Sequence, residues 1–294
     1  MFKHIILIFS AIILLSFNSC KKNTEPIEDQ KARENDEAIQ AYLKSKNITA
    51  ISAGSGVYYT ITQKNDAGRK PINGDLVTFH FQTGLLTGLK IDSTSRLENK
   101  PSHTPYGTVN NLWNLLSSVI KEGEKATFFL PYNFGYGPEA TTGVPAYSPI
   151  TIDFSIEKLR DEEEQIKSYI ADNKYNMTST DTGLRYMITK EVPAGATLKS
   201  GQSVVVNYTG KLLYYEGILD AKNKLTTTFD SGSFSLILGS NGSIAGFDQG
   251  VSKLKVGEKG IIIMPSSLGY KDTGSGSIPG KSPLLFEIEV VSAQ

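Results

Sequence analysis

The side chains that could do chemistry are concentrated in the C-terminal part of the chain, and they are aromatic and acidic. Residues 179–294 contain no histidine and no cysteine, which excludes the Ser-His-Asp and Cys-His arrangements of nucleophilic catalysis there. The same segment carries short motifs in the order NYTG (207–210), FDSG (229–232), IAGFDQGV (244–251), GY (269–270), IPG (278–280) and LLFEIEV (284–290). Chemistry at these residues would have to work through binding and hydrogen bonding.

The order of these motifs, with F-x-L-x-LG at 234–239 and K-x-GE at 255–258, resembles the FKBP-type peptidyl-prolyl isomerases, the macrolide-binding immunophilins. The resemblance covers nearly all of residues 180–292. It depends on eight motifs in one order, since none of them would suffice alone.

The resemblance implies a role for each matching residue. Tyr208, Asp230 and Tyr270 are expected to act on the substrate, with Asp230 near the substrate carbonyl and hydrogen-bonded to Tyr208, and the Tyr270 hydroxyl bonded to a carbonyl. The backbone amide of Ile244 is expected to hold another carbonyl, and Phe247 to form the pocket floor. The implied proline-binding side chains are Phe229, Phe234, Ile244, Phe247, Ile278 and Phe286.

A plainer interpretation exists for each of these residues. Most Phe and Tyr side chains pack in protein cores, and Asp230 precedes Ser-Gly as turn aspartates often do. Three positions also depart from the family pattern. Phe247 stands where the family usually has Trp, Lys271 replaces a glycine, and Gly280 replaces a second proline. The two loop changes put substrate preference in doubt more than activity.

The chemistry implied is rotation about an X-Pro amide, which resonance opposes with a barrier of ~18–20 kcal/mol. The twisted carbonyl is less polar and prefers a drier setting. A catalyst therefore needs an aromatic cleft and one or two hydrogen bonds, and it must bind the twisted amide better than either planar form. No cofactor and no metal is required.

The elements that would position these residues read as strands. The runs VVVNY, FSLIL, KGIIIMP and PLLFEIEV are short, rich in β-branched and aromatic residues, and separated by glycine-rich turns. Only residues 247–254 read as a helix. The sequence therefore predicts an α+β domain, in which a twisted antiparallel sheet wraps one short helix.

The chain repeats this pattern. Residues 37–43 match 164–170 at an offset of 127, and later matches settle at 134, as for Tyr136 and Tyr270. Ordered matches of this kind predict two tandem FKBP-like domains. The predicted segments are 1–19 (signal peptide), 20–50 (tether and N-terminal helix), 51–160 (domain 1), 161–178 (linker helix) and 179–294 (domain 2).

Domain 1 keeps the frame of the site but loses part of its lining. Phe81 replaces Tyr208, so Asp92 loses its hydroxyl partner. Prolines 101 and 105 fall where domain 2 has the strand SLILG, so that strand should be short or absent. We interpret the site as degenerate, with the residues Phe81, Asp92, Trp113, Tyr136 and Val144. Trp113 is either a core ring or a remaining pocket floor, and weak activity stays possible because FGYGP at 134–138 keeps the family's loop.

An amphipathic helix is predicted before each domain, over residues 34–46 and 161–173. Each has acidic residues in its first turn and three apolar residues on one stripe. Such a helix is either a spacer packed on its own domain or a dimerisation arm, and the thin stripe favours the spacer. Residues 21–33 are polar and read as a flexible tether.

The N-terminus reads as an export signal. An uncharged apolar run, residues 5–17, follows Lys3 and His4 and ends at Ser19-Cys20. The junction resembles a lipoprotein cleavage site of the Bacteroidetes type, which would leave Cys20 lipidated and anchored. An ordinary cleaved signal and an uncleaved anchor remain alternatives. The expected location is the cell envelope, on the outer membrane at its periplasmic or surface side.

Composition limits the partners. The 30 basic and 30 acidic residues balance, so nucleic acid is not expected. One cysteine and three scattered histidines do not make a metal site. The expected partners are proline-containing unfolded or exported polypeptides. The functional alternatives to an isomerase are a non-catalytic chaperone-like binding module and an accessory lipoprotein of a secretion or gliding machine.

Overall fold

The apolar strand runs of each half form one antiparallel sheet, so the two predicted α+β units are present. The computed structural model describes residues 25–94, 98, 100–219, 222 and 224–294. The predicted signal peptide and Cys20 lie outside the described residues.

Domain 1 follows an N-terminal helix, and its sheet has the strand order β1-β2-β6-β7-β3-β4, with β5 also paired to β3. The elements in chain order are α1 (Ile27–Ser45), β1 (Ile51–Gly54), β2 (Val57–Gln63), β3 (Leu76–Leu85), β4 (Lys90–Ser93), β5 (Ser102–Pro105), α2 (Leu112–Val119), β6 (Lys125–Leu130) and β7 (Ile150–Arg160).

Domain 2 repeats this plan with the strand order β13-β10-β15-β14-β9-β8, and β11 and β12 form a separate hairpin. Its elements are α3 (Glu162–Asp172), β8 (Thr178–Ser179), β9 (Arg185–Lys190), β10 (Ser203–Leu212), β11 (Ile218–Leu219), β12 (Leu225–Thr226), β13 (Thr228–Ile237), α4 (Ala245–Val251), β14 (Lys259–Met264) and β15 (Leu284–Ala293). By sequence offset, α4 corresponds to α2 and β10 to β3.

One face of each sheet packs against its short helix. In domain 2, Phe247 and Val251 of α4 share a core with Val206, Ile262 and Ile288. The glycines of α4 permit this contact, because a Cβ on Gly250 would lie 2.4 Å from Ile262 Cδ1. The short helix is thus held closely against the strands that carry the aromatic residues.

The opposite faces are covered by the helices that precede the domains, since strand side chains alternate between faces. Ile39 and Leu43 of α1 pack with Phe129 in one cluster. Ile166 of α3 packs with a second cluster that contains Ile261 and Ile263. This packing is what the spacer interpretation predicts.

Two predicted boundaries and one strand can now be compared with the structure. Helix α1 begins at Ile27, so residues 27–33 are helical, and the prediction of a flexible tether was wrong for them. The acidic residues Glu28 and Asp29 in the first turn stabilise a helix that starts there. Helix α4 ends at Val251, three residues before the predicted end. The proline-containing segment of domain 1 forms only the four-residue strand β5, as the prolines predicted.

Tyr214, in the segment after β10, lies at the junction between the domains. Its ring centroid is 5.4 Å from that of His103, and the Arg160 guanidinium lies 5.5 Å from the Tyr214 ring. Its hydroxyl donates to Asp172 Oδ2 at 2.8 Å. The Tyr214 side chain therefore joins the domains.

A second contact between the domains lies elsewhere: Lys281 Nζ donates to the Asn73 carbonyl at 3.4 Å.

His103 is held in its neutral form at this junction. Arg160 Nη1 donates to Thr78 Oγ1 at 2.8 Å, and the same Thr78 oxygen is hydrogen-bonded to His103 Nδ1 at 3.1 Å. Burial and then the Arg160 charge lower the pKa of His103 to about 4. With this pKa, the His103 imidazole is neutral at pH 7.

This arrangement predicts a pH dependence of stability. The folded-state pKa of His103 lies below its unfolded value, so its contribution is complete above pH ~6.5 and is lost as pH falls towards 4. The unfolding temperature of the full chain should fall between pH 7 and pH 5 by a few degrees more than that of His103→Gln, which keeps a neutral acceptor. If scanning calorimetry gives the same fall in unfolding temperature for the wild type and for His103→Gln, the prediction is contradicted.

Candidate functional site

Domain 2 contains an open cleft between its strands and the start of α4, with a volume of about 240 Å³. Strands β10, β13 and β15 supply one wall, and the loop before α4, α4 itself and the segment after a 3₁₀ turn (Ser266–Leu268) supply the rest. Its lining residues are Tyr208, Phe229, Asp230, Phe234, Ser243, Ile244, Phe247, Tyr270 and Phe286.

Phe247 is the centre of the aromatic wall. Its ring centroid lies 5.1 Å from Phe286, 5.7 Å from Tyr208 and 6.1 Å from Phe234, each at a steep interplanar angle. Edge-to-face contacts of this kind are favourable for aromatic rings. Phe247 and Phe286 are 4% exposed, whereas Phe234 is 36% exposed, so the first two form the floor and the third lies at the rim.

The polar side of the cleft is organised by one short hydrogen bond. The Tyr208 hydroxyl donates to Asp230 Oδ2 at 2.6 Å, and the Ser231 backbone N–H donates to Asp230 Oδ1 at 2.9 Å. This hydrogen bond, then burial and the Asp230 charge, raise the pKa of Tyr208 to about 12. Tyr208 therefore stays protonated at neutral pH and keeps donating to Asp230.

Two further donors in the cleft make no hydrogen bond to any described residue. The Tyr270 hydroxyl has none, and neither has the backbone N–H of Ile244. The Ile244 carbonyl accepts from Phe247 N–H at 3.0 Å, so only its amide is left over. Both groups are available to carbonyl oxygens of a bound peptide.

Eight of the nine predicted site residues of domain 2 line the cleft. The ninth, Ile278, is 7% exposed and packs in the same hydrophobic cluster as Phe247 and Phe286. Ser243 lines the cleft and was missed. Its position directly before Ile244 was the available signal.

The corresponding region of domain 1 lacks the same polar set. Phe81 packs against Trp113 at 4.5 Å between centroids and has no hydroxyl to offer Asp92. Among the described residues, the Asp92 side chain accepts only the local bond from Ser93 N–H, at 2.7 Å. Burial and then the Asp92 charge raise the pKa of Tyr136. Val144 is buried, at 2% exposed.

Domain 1 has a different cavity, of about 440 Å³, lined by residues 106–110 and Asn114. None of the five predicted residues of the degenerate site lines it. Trp113 is half-buried and contacts Phe79, Phe81 and Phe154, which fits a core ring and a remaining pocket floor alike.

Two features are absent from the part of the chain that the structure describes. It contains no group of three or more His, Cys, Asp or Glu side chains placed to hold a metal ion. None of its helices is long and apolar enough to cross a membrane.

Comparison with known proteins identifies the family. The model of the FKBP-type peptidyl-prolyl cis-trans isomerases matches residues 67–157 and 195–291, well over half of the chain and once in each domain. The chain belongs to the FKBP family. Each match lies within one of the predicted domains, 51–160 and 179–294.

Individual relatives resemble one or both domains. Human peptidyl-prolyl cis-trans isomerase FKBP9 is 28% identical over 224 residues, which are 74% of this chain and 35% of that protein. FK506-binding protein 2 of Dictyostelium discoideum is 40% identical over 95 residues, 32% of this chain and 66% of that protein. The chain thus spans about a third of the length of the FKBP9 proteins it matches.

Relatives of bacterial origin are also found. The FKBP-type isomerase FkpA of Aeromonas hydrophila is 32% identical over 139 residues, 46% of this chain and 47% of that protein. The crystal structure of FkpA from Escherichia coli is 27% identical, with a TM-score of 0.37, and covers 45% of this chain and 59% of that one.

The cleft geometry makes Gly210 a specific point of test. A Cβ on Gly210 would lie 2.4 Å from Phe229 Cε2 and 2.9 Å from Phe286 Cε1, so Gly210→Ala should displace both rings. We expect affinity for a proline peptide to fall about tenfold, with a stability loss of ~1–3 kcal/mol from overpacking. Calorimetric titration and thermal unfolding measure the two effects.

Gly232→Ala is the matched control. Gly232 pairs with Tyr208 across the same two strands, and a Cβ there would meet nothing within 4 Å. Equal peptide affinity of the two variants would show that the Phe229 and Phe286 rings do not shape the binding site.

Proposed function

We propose that domain 2 is a peptidyl-prolyl cis-trans isomerase that acts on proline-containing unfolded or exported polypeptides. The observation that supports this most is the open aromatic cleft with the Tyr208–Asp230 hydrogen bond at its side. Two of the relatives, human FKBP9 and FkpA of Aeromonas hydrophila, carry this activity in their names.

The aromatic floor would act by removing water from the X-Pro amide. Phe247 and Phe286 receive the prolyl ring, and the carbonyl loses polarity as the amide twists out of resonance. A dry wall favours this less polar form over either planar isomer, which lowers the barrier. No covalent bond is made or broken, so no nucleophile is needed.

The unused donors would hold the chain on both sides of the rotating bond. The Tyr270 hydroxyl and the Ile244 N–H each bind a substrate carbonyl, so that one part of the peptide stays fixed while the other turns. Asp230 fixes the Tyr208 ring against Phe247 and places a carboxylate at the rim. The pKa of Tyr208, about 12, keeps this side of the cleft unchanged across neutral pH.

Domain 1 is proposed to support domain 2 and not to share its reaction. Phe81 stands where domain 2 has Tyr208, so the hydroxyl that bonds to Asp230 in domain 2 has no counterpart there. A binding module without catalysis is the second candidate, because domain 1 retains the fold without the polar set. An assay of isomerisation and of peptide binding on the same protein separates the two.

We predict that proline isomerisation by the full chain depends on Asp230 and not on Asp92. Asp230→Ala removes the acceptor of the Tyr208 hydroxyl. Hydrogen bonds to charged groups contribute ~1.5–3 kcal/mol, so kcat/KM should fall about tenfold or more. Asp92→Ala is the matched control in domain 1 and should stay within twofold of the wild type. A protease-coupled peptide assay gives both values, and full activity of Asp230→Ala would refute the assignment.

We also propose that Cys20 is lipidated and anchors the protein in the cell envelope, on the outer membrane. The support is the apolar run, residues 5–17, which ends at Ser19-Cys20. Cys20→Ala should move the protein from the membrane fraction to the soluble fraction, because acyl chains are the only anchor proposed. Cys20→Ser is expected to behave alike, and membrane retention of both would contradict lipidation.

A further inference from the structure

The strand β13 lies at one end of the sheet of domain 2, so one of its sides has no neighbouring strand among the described residues. It is ten residues long and continuous, from Thr228 to Ile237. Residues 230–235 are exposed. Phe229, Asp230 and Phe234 of this strand also line the cleft.

The hydrogen-bond pattern shows which backbone groups face outward. Just before β10, the Gln202 carbonyl accepts from the Leu238 N–H at 2.9 Å, so it faces β13. Ser203, the first residue of β10, instead exchanges both of its backbone bonds with Gln294, on the side of β15. Antiparallel strands alternate in this way. The backbone groups of Ser233 and Ser235 and the N–H of Ile237 therefore point away from β10. The Ser231 N–H is already bonded to Asp230.

Domain 1 protects the same edge and domain 2 does not. In the described part of domain 1, the corresponding edge consists of two four-residue strands, β4 and β5, with Pro101 directly before β5 and Pro105 as its last residue. Short strands, charges and prolines are the usual protection against pairing with another chain. Strand β13 has no proline and no lysine, and its single charge, Asp230, is engaged by Tyr208.

We propose that an extended segment of the client polypeptide pairs with β13 as an added strand and thereby presents its proline to the cleft. This rests on the proposed isomerase function and names the substrate class: an unfolded chain with a strand-forming segment beside the proline. The same strand carries the docking edge and two cleft rings, Phe229 and Phe234, so pairing fixes the position of the client relative to the rings.

The geometry sets the length of client that benefits. Backbone groups that point away from β10 recur every second residue, or about 6.8 Å along the strand. Pairing from Ser233 to Ile237 therefore needs about four to six client residues beyond the proline. Main-chain hydrogen bonds would supply affinity without reading the client sequence, as in other strand-addition complexes. A tetrapeptide reaches the cleft and leaves this edge unused.

The test compares a proline tetrapeptide with a peptide of about twelve residues that continues in Val, Thr and Ile. The full chain, kept in mild detergent, should have a kcat/KM for the long peptide at least about tenfold above that for the tetrapeptide. Ser233→Pro removes an outward donor without touching the β10 ladder and should reduce this ratio about tenfold. Ser233→Ala keeps the donor and should preserve the ratio.

A second measurement does not alter the protein. N-methylation of alternate backbone amides of the long peptide should abolish its advantage, because it removes the client's donors and leaves its side chains. Equal kcat/KM for long and short peptides, or no effect of N-methylation, would overturn the edge proposal while the isomerase function stands.

Two other outcomes are decisive. No turnover of the tetrapeptide would refute the isomerase function. Fluorescence anisotropy of the labelled long peptide, with and without N-methylation, would then still show whether the β13 edge binds the peptide. A dimer in sedimentation that Ser233→Pro converts to a monomer would show that a second copy of the chain occupies the edge, which would overturn the client proposal.

Discussion

The close approach of α4 to its sheet is the constraint on which the site of domain 2 depends. A Cβ at Gly246 would lie 2.5 Å from Met264 Sδ, and one at Gly250 would lie 2.4 Å from Ile262 Cδ1. Glycine at both positions lets the helix press against the strands, and this contact places the ring of Phe247 beneath the cleft. The ring is thus part of the core and part of the site at once, which explains its 4% exposure.

Domain 1 has lost this constraint. At the offset of 134, Leu112 and Leu116 of α2 stand where α4 has Gly246 and Gly250, and Leu116 is completely buried. A helix with leucine at these positions needs more room beside a sheet. Together with Phe81 in place of Tyr208, this gives a well-packed core with different surroundings for Asp92. The two domains thus share an architecture and differ in what their helices leave open.

Much of the fold was predictable because each of its signals is local. Strand runs bounded by glycine-rich turns predicted the sheets, and the repeat predicted the second copy. The resemblance to the family's motifs predicted the eight cleft residues, and the pairing of β10 with β13 brings Tyr208 and Phe234 to one face. The burial of Ile278 beside Phe247 and Phe286 could not be predicted this way, since it depends on packing between segments that are distant in sequence. The start of α1 was missed because exposed polar turns are stabilised by side-chain pairs, such as Lys31 with Glu34, that carry no periodic apolar signal.

The central claim is that a prolyl ring enters the domain 2 cleft and lies on Phe247. The most direct measurement is a crystal structure of the chain with a proline-containing peptide bound. We predict the prolyl ring against Phe247 and Phe286, with substrate carbonyls on the Tyr270 hydroxyl and the Ile244 N–H. A peptide bound only at domain 1, or a cleft that stays without the prolyl ring at saturating peptide, would contradict the account.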